Sequence, residues 1–356
     1  MRRGLMAWDP DEIPLEALKQ RVERLQSVMT AAAEDALIVY TNFVRSSAVS
    51  YLTAFSPYWA DGVLLVPSKG EPVFATTLSK RVGSWIQTVK PIGDLVNSQT
   101  PGAALAQRLD KLGARRVGIL ERDAFPSGLY NELTAALPNI TFVDGTETYA
   151  LARRAVDSVE RRLLQKSDEI ARGALDSLRL DDAVNVGAAV GFVEKYARLQ
   201  GAEEVYVAIA PDMDTDRRFI RASGNRPLGQ SFAIRATVAY KGTWVRSAKT
   251  YARDDRATFR IARIDAWFQN FAINIAPARS LAEQIASGVE TFPGARLVAW
   301  MAESAAGTRP LAVIASSRGS SENAASVMPP IITLELVADG VPWCGAALAG
   351  LSQDDE

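Results

Sequence analysis

Short apolar segments alternate with amphipathic segments along the first part of the chain, and this alternation restricts the possible folds more than any other sequence feature. Buried strands are predicted at "DALIVY" (35–40) and "GVLLVP" (62–67), because each apolar run is short and is closed by turn residues. The segment "EPVFAT" follows a Ser-Lys-Gly turn and completes a hairpin. Further elements are predicted as helices at 15–33, "PGAALAQRLDKLGA" and "PSGLYNELTAALPN", and as strands at "RRVGIL" and "ITFVD". This pattern predicts an α/β amino-terminal domain over residues 1–150.

The pattern changes near residue 150, where a charged helical stretch begins. One helix is predicted from Tyr149 to about Leu178, and a second over roughly 181–199. An antiparallel strand set starts at "EVYVAIA" and continues through "QSFAIRATVAY" and "TWVRSAKTY". Helices at about 255–274 and 279–291 precede the last predicted strands, "PLAVIAS", "IITLELV" and "PWCGAAL". Residues 151–356 are therefore expected to form an α+β domain.

Charge and cysteine content narrow the expected partners and compartment. The chain has 40 Lys and Arg against 41 Asp and Glu, so its net charge of -1 favours neither nucleic acid nor an acidic membrane surface. Small molecules or other protein chains are the expected partners. The single cysteine, Cys344, excludes a disulfide framework and any multi-cysteine metal site, which favours the cytoplasm. The opening "MRRGLMAWDPDEIP" does not fit a signal peptide, and no apolar run reaches the length of a membrane span.

The chain contains no histidine. Histidine is the usual general base near neutral pH and a common metal ligand. Ser-His-Asp triads, Cys-His dyads, HExxH zinc sites and zinc deaminase sites are all excluded. Catalysis, if present, has to use Asp, Glu, Lys, Tyr, Arg, Ser or backbone groups.

Several segments, taken in order, resemble the creatinase, prolidase and aminopeptidase P family from about residue 15 to 348. They are "RVERLQSVM", "VSYLTAF", "GVLLVPSKGEPVF" and the interdomain stretch "ARRAVDSVERRLLQKSDEIARGALDSL". The resemblance implies an amino-terminal domain of the creatinase type, followed by the family's pita-bread domain. It also implies a homodimer.

The hairpin "TVAYKGTWVRSAKTY" resembles the hairpin that bears metal ligands in this family. Active metallopeptidases of the family have an Asp at the start of a strand, then a Tyr-x-Gly turn, then a second Asp before an Arg-Thr pair. Tyr240, Gly242 and Thr250 keep this frame in the present chain, and Lys249 stands in the place of the arginine.

The metal ligands of the family do not carry over. Arg246 stands where the second Asp is expected, and the first falls on Arg235 if the strand register holds. The histidine is missing, and Glu335 in "ITLEL" matches the first of the two family glutamates. The segment "PWCGAAL" offers no carboxylate for the last one. The sequence therefore predicts no metal and no other cofactor.

Two arginines in place of two carboxylates change the local charge by about four units. Because even two single charges 4 Å apart interact by roughly 4 kcal/mol near a protein surface, such a change strongly disfavours a metal ion. Arginine has no lone pair for a metal but makes forked bonds to carboxylates. A clamp of Arg235, Arg246 and Lys249 on a carboxylate-bearing ligand is therefore predicted. The alternative is that each arginine pairs with a neighbouring Asp or Glu, or points to solvent.

The remaining candidates each have a functional and a structural interpretation. Glu335 and Glu303 are candidate acids or bases, although Glu335 could instead neutralise an arginine. Tyr240 is a third catalytic candidate, or a cross-strand packing residue. Tyr58 and Trp59 are either core aromatics or the lip of a binding pocket.

Two functions fit these features. The first is a metal-independent enzyme that acts on a small anionic or zwitterionic substrate at a C–N bond. The second is a non-catalytic relative, a dimeric binding or pathway accessory protein that keeps the fold without the chemistry. The choice between them depends on how the side chains of the changed site are arranged.

Overall fold

The computed structural model describes residues 8–42, 44–55, 61–89, 93–276, 279–305, 309–320 and 329–350. The chain divides into two compact units, with the division between Ala155 and Val156. Among the described residues, no helix is both long and apolar enough to cross a membrane.

The amino-terminal unit is an α/β domain built on a six-stranded mixed sheet. The strands are β1 Ala36–Thr41, β2 Gly62–Pro67, β3 Val73–Thr76, β4 Asp94–Asn97, β5 Arg116–Ile119 and β6 Thr141–Asp144, in the spatial order β4-β3-β2-β1-β5-β6. The helices are α1 Leu15–Ala31, α2 Ser47–Thr53, α3 Gly83–Val89, α4 Pro101–Lys111, α5 Ser127–Ala136 and α6 Thr146–Ala152. The predicted hairpin is confirmed, because β2 and β3 pair antiparallel. Its central strands are apolar and buried, as expected for strands covered on both faces.

The prediction of one helix from Tyr149 to Leu178 is wrong. The chain forms α6, leaves the helical conformation, and starts a new helix, α7, over Ser158–Asp176. The Asp157 side chain accepts a hydrogen bond of 2.8 Å from the backbone N–H of Glu160 and so caps this second helix. The regular spacing of apolar residues continues through the break between α6 and α7, so it does not indicate the break. The start of α7 is indicated by its capping residue, Asp157.

The carboxy-terminal unit carries an eight-stranded sheet of the pita-bread type. The strands are β7 Glu204–Ala210, β8 Ser231–Tyr240, β9 Thr243–Ala252, β10 Ala295–Ser304, β11 Ala312–Ser316, β12 Gly319–Ser320, β13 Pro330–Ala338 and β14 Val341–Leu348. Their spatial order is β12-β11-β10-β13-β14-β9-β8-β7. The other helices of the unit are α8 Val186–Leu199, α9 Asp255–Ile273 and α10 Leu281–Glu290.

The four helices of this unit cover one face of the sheet. Helices α7 and α8 pack on alternate residues of β8, including Ile234 and Val238. Helix α9 packs on alternate residues of β13 and β14, including Leu334 and Trp343. Because side chains alternate along a strand, the intervening residues project from the other face of the sheet. We call this other face the open face, and it carries the candidate site.

Candidate functional site

The hairpin of β8 and β9 places two arginines on the open face. Arg235 lies opposite Ala248 in the antiparallel register, and Thr237 lies opposite Arg246. A strand residue and its cross-strand partner project to the same side of a sheet. The two guanidinium groups therefore belong to adjacent rows of one face.

Arg246 forms a buried ion pair with Glu303 of β10. Its Nη1 lies 2.5 Å from Glu303 Oε1 and also contacts Oε2, and its Nε donates to Thr237 Oγ1 over 3.2 Å. Only 4% of the Glu303 side chain is exposed. Burial raises the pKa of the Glu303 carboxyl, while the positive charge of Arg246 opposes that rise. This arginine follows the second interpretation of the sequence, pairing with a neighbouring acid.

Arg235 has different surroundings. Its guanidinium carbon lies 4.9 Å from the centre of the Phe219 ring. Within the described part of the chain it forms no hydrogen bond and no ion pair with a carboxylate. Burial and the nearby charge of Arg246 lower the pKa of Arg235, while Glu303 and Glu335 act in the opposite sense. Its hydrogen-bond donors are therefore available to a ligand in a way that those of Arg246 are not.

A row of mostly small side chains runs across the open face from Arg235. The register continues from Ala248 to Ala346, then to Thr333 and Met301 on the next two strands. Ala346 and Thr333 of this row are buried. Thr333 Oγ1 has no hydrogen-bond partner among the described residues. This row therefore carries a buried polar atom that lacks a partner, three strands away from Arg235.

Glu335 and Cys344 lie opposite each other in the row after that one. Burial raises the pKa of the Cys344 thiol, and the negative charge of Glu335 adds to the effect. Glu335 also acts electrostatically on Arg235, although no ion pair joins them. Cys344 is thus held as a neutral thiol, and Glu335 is a partly exposed carboxylate close to the site.

Two of the predicted site residues lie on the helix-covered face instead. The Nζ of Lys249 donates to Asp176 Oδ1 of α7 over 2.6 Å, on the opposite side of β9 from Arg246. Tyr240 packs against the core between the sheet and α8. Strand alternation explains both placements, because Lys249 is an odd number of residues from Arg246 and Tyr240 is an odd number from Arg235. Tyr58 and Trp59 lie outside the described residues.

The side chains of the open face do not fit a dinuclear metal centre. No group of three or more His, Cys, Asp or Glu able to hold a metal occurs in the ranges that the structure describes. Arg235 and Arg246 place two positive charges on this face, and both oxygens of Glu303 already contact Arg246. Divalent ions need several anionic or lone-pair ligands, and a guanidinium supplies neither.

Three residues of the site were missed by sequence reasoning: Thr333, Cys344 and Phe219. The alternation of "ITLEL" could have indicated Thr333, which lies two residues before Glu335 and shares its face. The same alternation places Cys344 on the open face once its strand is paired. Phe219 lies in the connection between β7 and β8, where no periodic pattern indicates its neighbours.

Comparisons with known proteins find one domain family and several structures of similar fold. The creatinase/prolidase amino-terminal domain family matches residues 21–155. An Xaa-Pro dipeptidase from Bacillus anthracis superposes with a TM-score of 0.67 at 15% identity, covering 95% of this chain and 99% of that chain. A prolidase from Pyrococcus horikoshii gives 0.65 at 13% identity, with coverages of 94% and 99%. An X-Pro aminopeptidase from Thermotoga maritima gives 0.65 at 14% identity, with coverages of 92% and 93%.

No curated protein sequence matches the chain. At such low identities the structural matches establish the fold, while the family model identifies the amino-terminal domain. The amino-terminal domain therefore belongs to the creatinase/prolidase amino-terminal domain family, and the chain as a whole has the fold of the prolidase structures.

Proposed function

We propose that this chain is a metal-independent, prolidase-like protein that binds a small carboxylate-bearing or zwitterionic molecule on the open face. The observation that carries the proposal is Arg235, a largely buried guanidinium without a carboxylate partner among the described residues. Removing such a charge from water is unfavourable unless an anion pairs with it. A carboxylate ligand would supply that anion through two parallel hydrogen bonds.

The surroundings of Arg235 favour a ligand of limited size. Ala248 and Ala346 are the small residues that follow Arg235 across the sheet, and Thr333 Oγ1, one strand further on, offers a hydrogen-bonding group without a partner in the described chain. Phe219 lies against the guanidinium from another side. The relatives named Xaa-Pro dipeptidase and prolidase suggest a ligand class, since a dipeptide carries both a terminal carboxylate and an amide C–N bond.

A hydrolytic step at a C–N bond has one candidate base. Glu335 is partly exposed and forms no ion pair with a described residue, whereas Glu303 is held by Arg246. The substrate carboxylate binds Arg235. Glu335 then takes a proton from a water molecule while the oxygen of that water forms a bond to the amide carbon. It then returns the proton to the nitrogen as the C–N bond breaks. Because the chain has no histidine, a carboxylate is the base that these side chains offer for this reaction.

A non-catalytic binding protein is the second candidate function. The ion pair between Arg246 and Glu303 favours it, because each charge satisfies the other and neither is free for chemistry. In this form the protein binds the ligand without converting it and serves as an accessory protein of a pathway. The family resemblance implies that it does so as a homodimer. Both candidates place the protein in the cytoplasm and require Arg235 for binding.

Calorimetric titration with the dipeptide Ala-Pro, its carboxy-terminal amide and free proline tests the binding proposal. Wild type is expected to bind Ala-Pro, and removal of the ligand charge in the amide should weaken binding by about 10- to 100-fold. Arg235→Met should cause a loss of similar size. Arg296→Met is the control, because Arg296 is exposed on β10 of the same domain and should leave the affinity unchanged.

Equal affinity of Arg235→Met and wild type would overturn the binding site. Mass spectrometry of the recovered ligand separates the two candidate functions. Free alanine and proline that accumulate with wild type but not with Glu335→Gln support the hydrolase. Intact Ala-Pro after long incubation supports the binding protein.

A further inference from the structure

A cavity lies on the helix-covered face, behind the strands that carry the row of alanines. Its volume is about 140 Å³, it is bordered by α7, α9 and the strands β9 and β14, and it is partly open to solvent. A cavity of about 150 Å³ is large enough for a benzene-sized molecule. Lys249, which the sequence assigned to the open face, lines this cavity instead.

The charged groups at the cavity are two ion pairs and one further carboxylate, and the negative excess comes from Asp168, the partner of Arg172, which does not itself line the cavity. Lys249 Nζ donates to Asp176 Oδ1 over 2.6 Å, so these two charges offset each other. Arg172 is likewise paired, with its Nε 2.7 Å from Asp168 Oδ2. The carboxylate of Asp265 has no cation of its own within hydrogen-bond distance in the described chain. It is therefore the uncompensated charge of the cavity.

Asp265 is held in place by one hydrogen bond. Trp343 Nε1 donates to its Oδ1 over 2.7 Å, which leaves Oδ2 without a donor among the described residues. Burial, with a smaller contribution from Asp176, raises the pKa of Asp265 to about 6, although the hydrogen bond from Trp343 and the charge of Lys249 oppose the rise. Above that pH the group is an anion with one oxygen free to accept.

The walls beside Asp265 are aromatic. Phe268 and Trp343 both line the cavity and pack edge to face, with ring centres 5.2 Å apart. The Gln269 side chain lies at the same cavity and can both donate and accept hydrogen bonds. Aromatic rings attract organic cations through their π faces, and a nearby carboxylate strengthens the attraction.

We propose that this cavity is a second ligand site, which takes a small organic cation with N–H donors, such as an alkylguanidinium or alkylammonium ion. One carboxylate oxygen without a donor, a net negative charge, aromatic walls and a benzene-sized volume all match that class. A metal ion is a poorer match, because the ammonium group of Lys249 lies in the cavity and two carboxylates are too few ligands. An anion would face the charge of Asp265.

This inference is independent of the proposed function. Ala248 and Ala346 adjoin both sites, but the charged groups of the two sites lie on opposite faces of the sheet and none belongs to both. Arg235→Met should therefore leave cation binding unchanged.

Calorimetric titration with methylguanidinium chloride tests the proposal, with acetamide as a neutral probe of similar size. We expect methylguanidinium to bind wild type in the millimolar range and acetamide not to bind. Asp265→Asn keeps the acceptor for Trp343 but removes the charge, and should weaken binding by about 10-fold or more. Asp255→Asn is the matched control, since Asp255 is exposed on the same helix and should have no effect.

Lys249→Met provides a test with the opposite sign. Removing the ammonium group frees Asp176 and makes the cavity more negative, so methylguanidinium should bind several-fold more tightly. A structural role of Lys249 would not produce tighter binding. The proposal is overturned if wild type and Lys249→Met both fail to bind at about 10 mM. It is also overturned if folded Asp265→Asn binds as well as wild type.

Discussion

Two arginines one row apart on the same hairpin have different roles because their neighbours differ. Arg246 reaches Glu303 and Thr237 and is fully engaged. Arg235 meets an aromatic ring and a row of small side chains. At the scale of single residues, the site thus combines an ion pair, Arg246 with Glu303, and one arginine, Arg235, that has no carboxylate partner among the described residues.

The ion pair between Arg246 and Glu303 predicts strong coupling between the two residues. Arg246→Met leaves a buried carboxylate without its partner and should lower the free energy of unfolding by about 3–5 kcal/mol. The double variant Arg246→Met/Glu303→Met should cost far less, because an apolar pair of similar volume replaces the charged one. Urea denaturation of wild type, both single variants and the double variant completes the cycle. Additive losses would show that the pair is not coupled.

Glu203 predicts a pH dependence of stability. Its Oε2 accepts a 3.1 Å hydrogen bond from the backbone N–H of Gly242, and burial raises its pKa from 4.5 to about 7. The folded protein therefore retains a proton that the unfolded chain loses near pH 4.5. Stability from this group is present at low pH, falls as the pH rises towards 7, and stays low above it.

Glu203→Gln removes this titration and keeps an acceptor for Gly242. Relative to wild type, the variant should gain on the order of 2 kcal/mol between pH 4.5 and pH 8, since partial exposure reduces the effect of the full shift. Urea denaturation at both pH values measures the difference. Glu169→Gln, at an exposed position of α7, is the control and should show little change. A constant difference between Glu203→Gln and wild type at the two pH values would contradict the account.

The turn between β8 and β9 sets the register of the whole site. Lys241 and Gly242 have φ values of 47° and 76°, which is the conformation of a two-residue hairpin turn with the twist of the strands. A slip of one residue would move Arg235 and Arg246 to the helix-covered face. At the scale of elements, this short turn determines which side chains meet.

Gly242→Ala should therefore destabilise the protein by about 1–2 kcal/mol, because alanine resists a positive φ. Gly191→Ala is the matched comparison, since Gly191 lies in α8 with open space around its Cα. That change should stabilise the protein by about 0.5–1 kcal/mol through helix propensity. Thermal or urea denaturation gives both values. Equal effects at the two positions would contradict the assigned turn.

The elements were predictable where their signal is local. The strand 62–67 and the hairpin after it follow from apolar runs and turn residues, and the β8–β9 hairpin from its Lys-Gly turn. Strand β10 was missed, because its residues are only partly buried and its main partner, β13, lies about thirty residues further along the chain. Glu303 was identified as a candidate, but its contact with Arg246 depends on that long-range pairing.

The same limit explains the errors within the site. Sequence resemblance indicated the two arginines and Lys249 as one group, because they match one motif. Because side chains alternate along β9, Lys249 and Arg246 project from opposite faces of the sheet. Only the structure shows that Arg246 contacts Glu303 on one face and that Lys249 contacts Asp176 on the other. Residue identities were thus available from the sequence, and their neighbours were not.

The whole molecule has the fold of the prolidase structures, whereas the chemistry of its site remains a proposal. Structural relatives match nearly the full length at only 13–15% identity, so a similar fold does not fix the side chains of the site. Buried apolar clusters between sheet and helices hold the carboxy-terminal domain together on the face opposite the site. Substitutions of polar residues on the open face are therefore expected to leave these apolar clusters unaffected.

Metal content tests the central claim most directly. The purified chain is incubated with manganese, cobalt or zinc salts, passed through a desalting column, and analysed by elemental mass spectrometry against its protein concentration. The account predicts no stoichiometric retention of any of the three metals, because Arg235 and Arg246 place two guanidinium groups on the open face and Glu303 is already paired with Arg246. Retention of about two ions per chain, as a paired metal centre requires, would contradict it.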